Sequence, residues 1–218
     1  MKTKKIIVFG AGYPIILQLI EDINLAGSAK FEILGFVVDD EKEWGKEYFG
    51  YPILGKLENI KNYKDTYIIN NVGSSTNARY SIDKRILRIK NEIPSLIHPT
   101  VDYRYSEIGN GCIVSKDVFI GAGSKIGNSV CLRNTVFIGN EVKIGDNVFI
   151  SDQTVILGYV DIADYVYLGA NVTVLPRLSL NKNSLLGAGA VVTKNIPANQ
   201  IYVGNPARYL KENKPIIK

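Results

Sequence analysis

Phe137-Ile138-Gly139-Asn140-Glu141-Val142-Lys143-Ile144-Gly145-Asp146-Asn147-Val148-Phe149-Ile150 places aliphatic residues at 138, 144 and 150, a spacing of six. The spacing runs without a slip from Ile108 through Val114, Ile120, Ile126 and Leu132. It continues past this stretch through Ile156, Ile162, Leu168, Val174, Leu180 and Leu186 to Val192. A helix repeats every ~3.6 residues and a strand every ~2, so neither produces it. A chain that turns a corner every six residues does, putting one aliphatic side chain inside each time. Four positions later comes a second branched residue, as at Val130, Val136, Val142, Val148, Val160, Val166 and Val172. Glycine often follows the aliphatic residue directly, as at Gly109, Gly121, Gly127, Gly139 and Gly145. These fifteen hexads, three to a coil, predict a triangular parallel β-helix of five coils over residues 101–196.

Residues 1–95 follow a different grammar. Ile6-Ile7-Val8-Phe9 reads as a buried strand, Gly10-Ala11-Gly12 as a tight turn, and Ile15, Ile16, Leu19, Ile20 and Ile23 as one helical face ending near Gly27. Phe31 to Val38 is a second strand, Tyr51 to Gly55 a short extended stretch, and Thr66 to Val72 a third strand opening into Gly73-Ser74-Ser75. Ala78 to Asn91 is helical, with Ile82, Ile86 and Ile89 on one face. Strands alternating with helices predict a small Rossmann-like three-layer α/β domain with a parallel sheet. The fold class is therefore mixed, α/β followed by β-helix. Ile93 to Thr100 reads as a connector, and 197–218 as a tail too irregular for another coil.

The chain has 218 residues, 46% apolar and 22% charged, as in an ordinary globular protein. The net charge of +5 comes from scattered lysines without a basic block, which argues against a nucleic-acid partner. Cys112 and Cys131 both fall inside the repeat and read as reduced packing residues of a cytoplasmic protein. The start, Met1 to Ile20, superficially matches a signal peptide. Gly10, Gly12 and Pro14 break its apolar run, so a first strand and helix explain it better. No stretch is long enough to span a bilayer.

Ligands of parallel α/β sheets sit outside the carboxyl ends of the strands, here Gly10 to Pro14, Asp39-Asp40 and Gly73 to Ser75. Gly10-Ala11-Gly12-Tyr13-Pro14 reads either as a plain tight turn or as a contact for a nucleotide or nucleotide sugar. Ile15 stands where a dinucleotide fingerprint needs its third glycine, and Pro14 removes an amide. Asp39 and Asp40 are either solvated turn residues or acceptors for a ribose hydroxyl or a base N–H. His98, the only histidine, reads as a satisfied structural residue. A single imidazole excludes a three-histidine zinc site, and no metal is expected.

The hexads, Gly10-Ala11-Gly12, Gly35 to Asp40, Ile97-His98-Pro99 and Gly204-Asn205-Pro206-Ala207-Arg208 occur in the order found in one family. Over essentially its whole length the chain resembles the hexapeptide-repeat sugar acetyltransferases of the sialic acid O-acetyltransferase and bacillosamine N-acetyltransferase type. The resemblance implies a homotrimer of left-handed β-helices and no membrane insertion. It also implies transfer of an acetyl or related short acyl group from acetyl-CoA to a nucleotide-linked amino sugar, for cell-surface glycan assembly. Carried over by position, Gly12, Tyr13, Pro14, Asp39 and Asp40 face the nucleotide sugar, and Gly10 and Gly73, in turns at the ends of strands, are candidates for the same contact. Gly169, Gly187, Gly189, Asn205 and Pro206 line the acetyl-CoA groove.

The family places a catalytic histidine, followed by an acidic residue, where this chain has Asn140 and Glu141. A second histidine of some members falls at or near Phe149, and the usual Gly-His pair is Tyr13-Pro14. Asparagine has no proton-accepting nitrogen near neutral pH, though its carbonyl oxygen can hold an amine. Three readings stay open. A sugar amine attacks as its free base with Asn140 orienting it, or a carboxylate such as Glu141 or Asp152 serves as base. Otherwise the chain is a non-catalytic trimeric nucleotide-sugar-binding protein. A hydroxyl acceptor suffers most without the histidine, which favours N- over O-acylation.

Overall fold

The computed structural model describes residues 3–73, 75–89 and 93–214. Met1 and Lys2, Ser74, the expected helix end at Asn91 and the last four residues of the tail lie outside the described residues. The amino-terminal part runs β1 (Lys4–Phe9), α1 (Ile15–Ala26), β2 (Phe31–Val37), β3 (Glu47–Tyr48), β4 (Tyr51–Pro52), β5 (Thr66–Asn70) and α2 (Thr76–Arg88). The parallel sheet has the order β2-β1-β5. Alternation along β1 makes the three layers: Ile6 and Val8 pack with Ile16, Ile20 and Ile23 of α1, whereas Ile7 and Phe9 pack with Ile82 and Ile86 of α2. Gly27 (φ 70°) ends α1 in the left-handed conformation, and the Ser75 hydroxyl caps α2 by accepting from the Ala78 amide at 3.0 Å.

The hexads form the β-helix the sequence predicts, one two-residue strand per hexad with its second residue turned inward. Residues eighteen apart pair in parallel, as Phe137 does with Phe119 and Val155. A left-handed β-helix of five full coils from Glu107 to Val192 results. Every sixth residue turns a corner at positive φ, including Thr135, Glu141, Asn147, Tyr159 and Arg177 at 56–63°. At each such corner the amide donates to the coil before, as Glu141 does to Ala122 and Tyr159 to Asn140. The glycines after the aliphatic residues answer to stacking: a Cβ at Gly139 would lie 2.7 Å from the Gly158 nitrogen.

The first residue of each strand points out, giving three unlike faces. One is polar: Glu107, Lys125, Lys143, Asp161 and Ser179. A second carries Ile113, Cys131, Phe149 and Tyr167, which the amino-terminal domain covers. The third is open: Phe119 and Phe137 stack with centroids 5.0 Å apart and remain 51% and 38% exposed, followed by Val155, Thr173 and Val191. The covered face is longer than the hexads foretell. Leu96–Ile97, in the segment read as a connector, pairs with Ile113–Val114 as its first rung. Gln200–Val203 pairs parallel with Leu185–Leu186, and Arg208–Glu212 folds back antiparallel on it. The carboxyl-terminal segment thus continues the face and closes its edge, although it lacks the hexad spacing.

Candidate functional site

Three edges join the three faces, each a ladder of residues eighteen apart. Asn140 lies on the edge between the open and polar faces, with Ala122 in the coil before and Gly158 in the coil after. Neither neighbour carries more than a methyl group, so the carboxamide stands in a notch. Asn140 and Glu141 are both exposed. The Asn140 oxygen rests where a Cβ of Gly121 would be, and the Glu141 carboxylate lies over Gly123 in the same way. A surface hollow of about 240 Å³ runs from Asn140 past Ala122 and Phe119 to Tyr105 and the Asp102–Arg104 ion pair.

The edge between the covered and open faces changes character along its length. Its earlier coils carry Lys116, Asn134 and Asp152. The Asp152 carboxylate is occupied: Oδ1 accepts from the Asn134 amide and side chain at 3.2 and 3.0 Å, and Oδ2 from Ser151 at 3.4 Å. The later coils are stripped to Ala170, Ala188 and Gly189, the last at φ 71° with open space around it. Gly169 and Gly187 lie on this edge too. A Cβ on Gly169 would meet the Ala188 amide at 2.6 Å, and Gly187 is backed by Val203. The Gly204–Ala207 turn, with its cis Asn205–Pro206 bond, is pinned alongside where Val191 donates to Gly204 and Ala207 donates to Val191. The five residues assigned to the acetyl-CoA groove therefore gather on one edge.

The amino-terminal cleft opens where β1 and β5 end. Gly10 adopts φ 91°, and Asn71, 5% exposed, donates its side-chain N–H groups to the Gly10 and Tyr13 carbonyls at 3.1 and 3.0 Å. The Leu17 amide bonds back to the Pro14 carbonyl at 2.9 Å. Gly12 has open space where a side chain would stand. Gly73 is pressed between Phe149 and Tyr13, whose rings would lie 3.1 and 3.4 Å from its Cβ. Phe149, at or near one position where the family carries a further histidine, and Tyr13, next to the other at Pro14, thus meet across one glycine. Tyr13 also lies under the Arg133 guanidinium (5.9 Å), and Phe149 stacks on Tyr167 (5.1 Å).

Asp39 and Asp40 point elsewhere. Arg85 of α2 grips both Asp39 oxygens at 2.6 and 2.9 Å and reaches Glu58 at 3.0 Å; these bonds push the guanidinium pKa up. Asp40 accepts from the Lys42 amide at 3.0 Å, capping the turn Glu41–Glu43. His98 is spent on structure. The Thr100 amide donates to its Nδ1 at 3.2 Å, which assigns the proton to Nε2, 3.0 Å from Asp22.

Sequence reasoning missed Arg79. It is 1% exposed and donates to the Asn70 carbonyl (2.7 Å), Val72 (3.2 Å), Ser129 (3.1 Å) and Gly111 (3.4 Å). The first two belong to the end of β5 and the last two to successive coils, so one guanidinium fastens the cleft to the β-helix. Arg79 falls in helical phase with Ile82 and Ile86, and a charge on a buried stripe is the signal that marks it.

A triangular prism sets these parts apart. The edge between the open and polar faces, with Asn140, lies opposite the covered face, on which the cleft sits. Within one chain the two are separated by the prism's width.

Comparison with known proteins agrees with this architecture. Residues 141–176 match the family model described as bacterial transferase hexapeptide (six repeats), and residues 2–94 match that described as C2185-like, N-terminal. No curated protein sequence matches. Among solved structures, a His→Asn variant of perosamine N-acetyltransferase from Caulobacter crescentus superposes with TM-score 0.85 at 19% identity, covering 95% of this chain and 97% of that one. The acetyltransferase domain of PglB from Neisseria gonorrhoeae gives 0.82 at 23%, covering 95% and 100%. WeeI from Acinetobacter baumannii gives 0.82 at 23%, covering 96% and 100%. Each likeness spans both halves of the chain and shows a shared fold.

Proposed function

We propose that this protein is a homotrimeric enzyme that transfers an acetyl or related short acyl group from acyl-CoA to the amine of a nucleotide-linked sugar. The observation that carries the reading is the separation of Asn140 from its own cleft beside a bare apolar face. Three-fold packing through the open faces buries Phe119 and Phe137. By cyclic symmetry it sets each chain's Asn140 edge against the next chain's edge between covered and open faces. That second edge borders the neighbour's cleft, and its Ala170, Ala188 and Gly189 leave a trough along which a pantetheine arm fits. The neighbours in fold support the substrates. The Caulobacter variant was crystallised with CoA and GDP-perosamine, and the PglB domain with acetyl coenzyme A.

The chemistry follows from what Asn140 offers. The amine nitrogen attacks the thioester carbonyl, a C–N bond forms, the C–S bond breaks, the thiolate leaves and the ammonium proton passes to water. The Asn140 oxygen accepts an N–H of the attacking amine and aims its lone pair. An amine that titrates near an α-amino group, at about 7.7–8.0, supplies free base at neutral pH. Absence of a general base costs about 10²–10⁴ in rate, whereas alignment contributes roughly 7–11 kcal/mol. Asp152, with both oxygens engaged, is a poor substitute base, which leaves Glu141 as the carboxylate to test. A nucleotide sugar of the cytoplasm, destined for surface glycan, is the acceptor this chemistry suits.

Incubation with acetyl-CoA and GDP- or UDP-linked 4-amino sugars, followed by thiol release across pH, tests the reading. Turnover is expected to climb with the amine's own titration, unchanged by Glu141→Gln. No release despite intact nucleotide-sugar binding would replace it with the non-catalytic alternative.

A further inference from the structure

The edge that carries Asn140 continues into the earlier coils through Ala122–Gly123 to Arg104–Tyr105. The Glu141 amide donates to the Ala122 carbonyl at 3.0 Å, and the Gly123 amide to the Tyr105 carbonyl at 2.8 Å. Only a methyl group stands at 122, between the longer side chains at 104 and 140, and this opens the hollow of about 240 Å³ beside Asn140. Its lining is within reach of a ligand: Phe119 and Tyr105 are 51% and 76% exposed, and Ala122 is exposed as well. The hollow spans two coil heights, roughly 9–10 Å at ~4.8 Å per coil. Along that length its walls are Phe119, Ile120 and Ala122, with Tyr105 beyond them. At the far end Asp102 and Arg104 neutralise each other, Arg104 Nε and Nη2 reaching the two carboxylate oxygens at 3.0 and 2.7 Å.

The hollow begins where, on the transferase reading, the thioester carbonyl stands, and the inference rests on that reading. The pantetheine arm approaches Asn140 from the later coils, along the Ala170, Ala188 and Gly189 edge of the neighbouring chain. Sulfur and acyl tail are the two single-bonded substituents of the thioester carbonyl, and they point away from one another. With the sulfur toward the later coils, the tail enters the earlier ones, where the hollow lies. We propose that the acyl group transferred is an apolar chain longer than acetyl, of butanoyl length, its tail lying in the hollow against Ala122, Phe119 and Tyr105. The bond changes are those already given, C–N forming as C–S breaks and the proton passing to water; only the tail differs. An acetyl methyl is about the size of one water, ~30 Å³, and leaves most of the hollow unfilled. Two further methylenes occupy it and leave room for the neighbouring chain to close the open side. Each methylene taken out of water strengthens binding about fourfold. A carboxylated tail of the same length loses its hydration without return, because Arg104 already holds Asp102 and no other cation lines the hollow among the described residues.

The test is kcat/KM of the full chain for acetyl-, butanoyl- and succinyl-CoA with one nucleotide-linked 4-amino sugar, read by thiol release. Butanoyl-CoA is expected to exceed acetyl-CoA about fifteenfold, from two methylenes at about fourfold each, and succinyl-CoA to fall well below butanoyl-CoA. Ala122→Leu fills the hollow and should reverse the order to acetyl over butanoyl, with circular dichroism and sedimentation confirming fold and assembly. Acetyl-CoA preferred by the wild-type chain, succinyl-CoA used as well as butanoyl-CoA, or an unchanged butanoyl-to-acetyl ratio in Ala122→Leu would each overturn the proposal and leave the transferase reading standing. A wild-type chain that releases thiol from none of the three would sink both together.

Discussion

Phe137→Asp should take the proposed trimer apart without unfolding the chain. Phe137 and Phe119 stack outward while Val136 and Ile138, both 0% exposed, fill the prism. The exposed part of the two rings comes to about 180 Å² per chain. Burying it contributes about 4–5 kcal/mol per chain at ~25 cal/mol/Å². Phe137 accounts for about 2 kcal/mol of this, hence about 6 kcal/mol over three chains, or roughly ten-thousandfold in the assembly constant. Three carboxylates brought near the symmetry axis add a desolvation cost in the same direction. Sedimentation velocity over a range of concentrations reads the effect, with circular dichroism confirming the fold. Lys143→Asp on the polar face should leave assembly unchanged. The reasoning fails if the wild-type chain sediments as a single chain at working concentration, or if Phe137→Asp associates as tightly as the wild type.

Asn140→His should raise the rate of acyl transfer at neutral pH by about 10²–10⁴ and flatten its dependence on the amine's titration; an unchanged steady-state rate would mean the notch is not where the amine sits. Arg79→Met should destabilise the fold by about 3–5 kcal/mol, because it removes four hydrogen bonds and strands the Asp83 charge. Denaturant unfolding should show only the part due to the stranded charge recovered in Arg79→Met/Asp83→Leu, and no recovery would deny the electrostatic coupling of the two side chains. Burial pushes the Cys112 thiol up to about 11, so iodoacetamide should spare it at pH 8 in the native protein and modify it in denaturant. The native state then holds that proton longer than the unfolded chain. Stability from this group should fall as pH rises from the usual thiol range through about 11.

The β-helix was legible because its inward positions obey one rule fifteen times, and any slip would have turned an aliphatic residue outward. Leu96–Ile97 and Gln200–Val203 escaped because each borrows its pairing from a hexad strand and needs no hexad of its own. The unlike faces were readable in principle, since Phe119, Phe137 and Val155 recur at eighteen; which apolar face the first domain would cover was not. Asn140 stood out only against the family's pattern, as an asparagine at a corner is otherwise ordinary. Asp39 illustrates the opposite difficulty. A strand-end carboxylate invites a ribose, but Arg85, forty-six residues on, takes both its oxygens. Arg79 and Asn71 were hidden because their partners are backbone carbonyls, which leave no mark in a sequence.

Mixed trimers test the joint site most directly. Gly158→Trp fills the notch beside Asn140, and Gly73→Ile drives a side chain into Phe149 and Tyr13 in the cleft. Each variant alone should bind in trimers and transfer no acyl group. Unfolded together and refolded as equal mixtures, they should recover about a quarter of the wild-type rate, because every mixed ring contains one junction with an intact edge and an intact cleft. Mixed trimers that form and remain inactive would contradict the account.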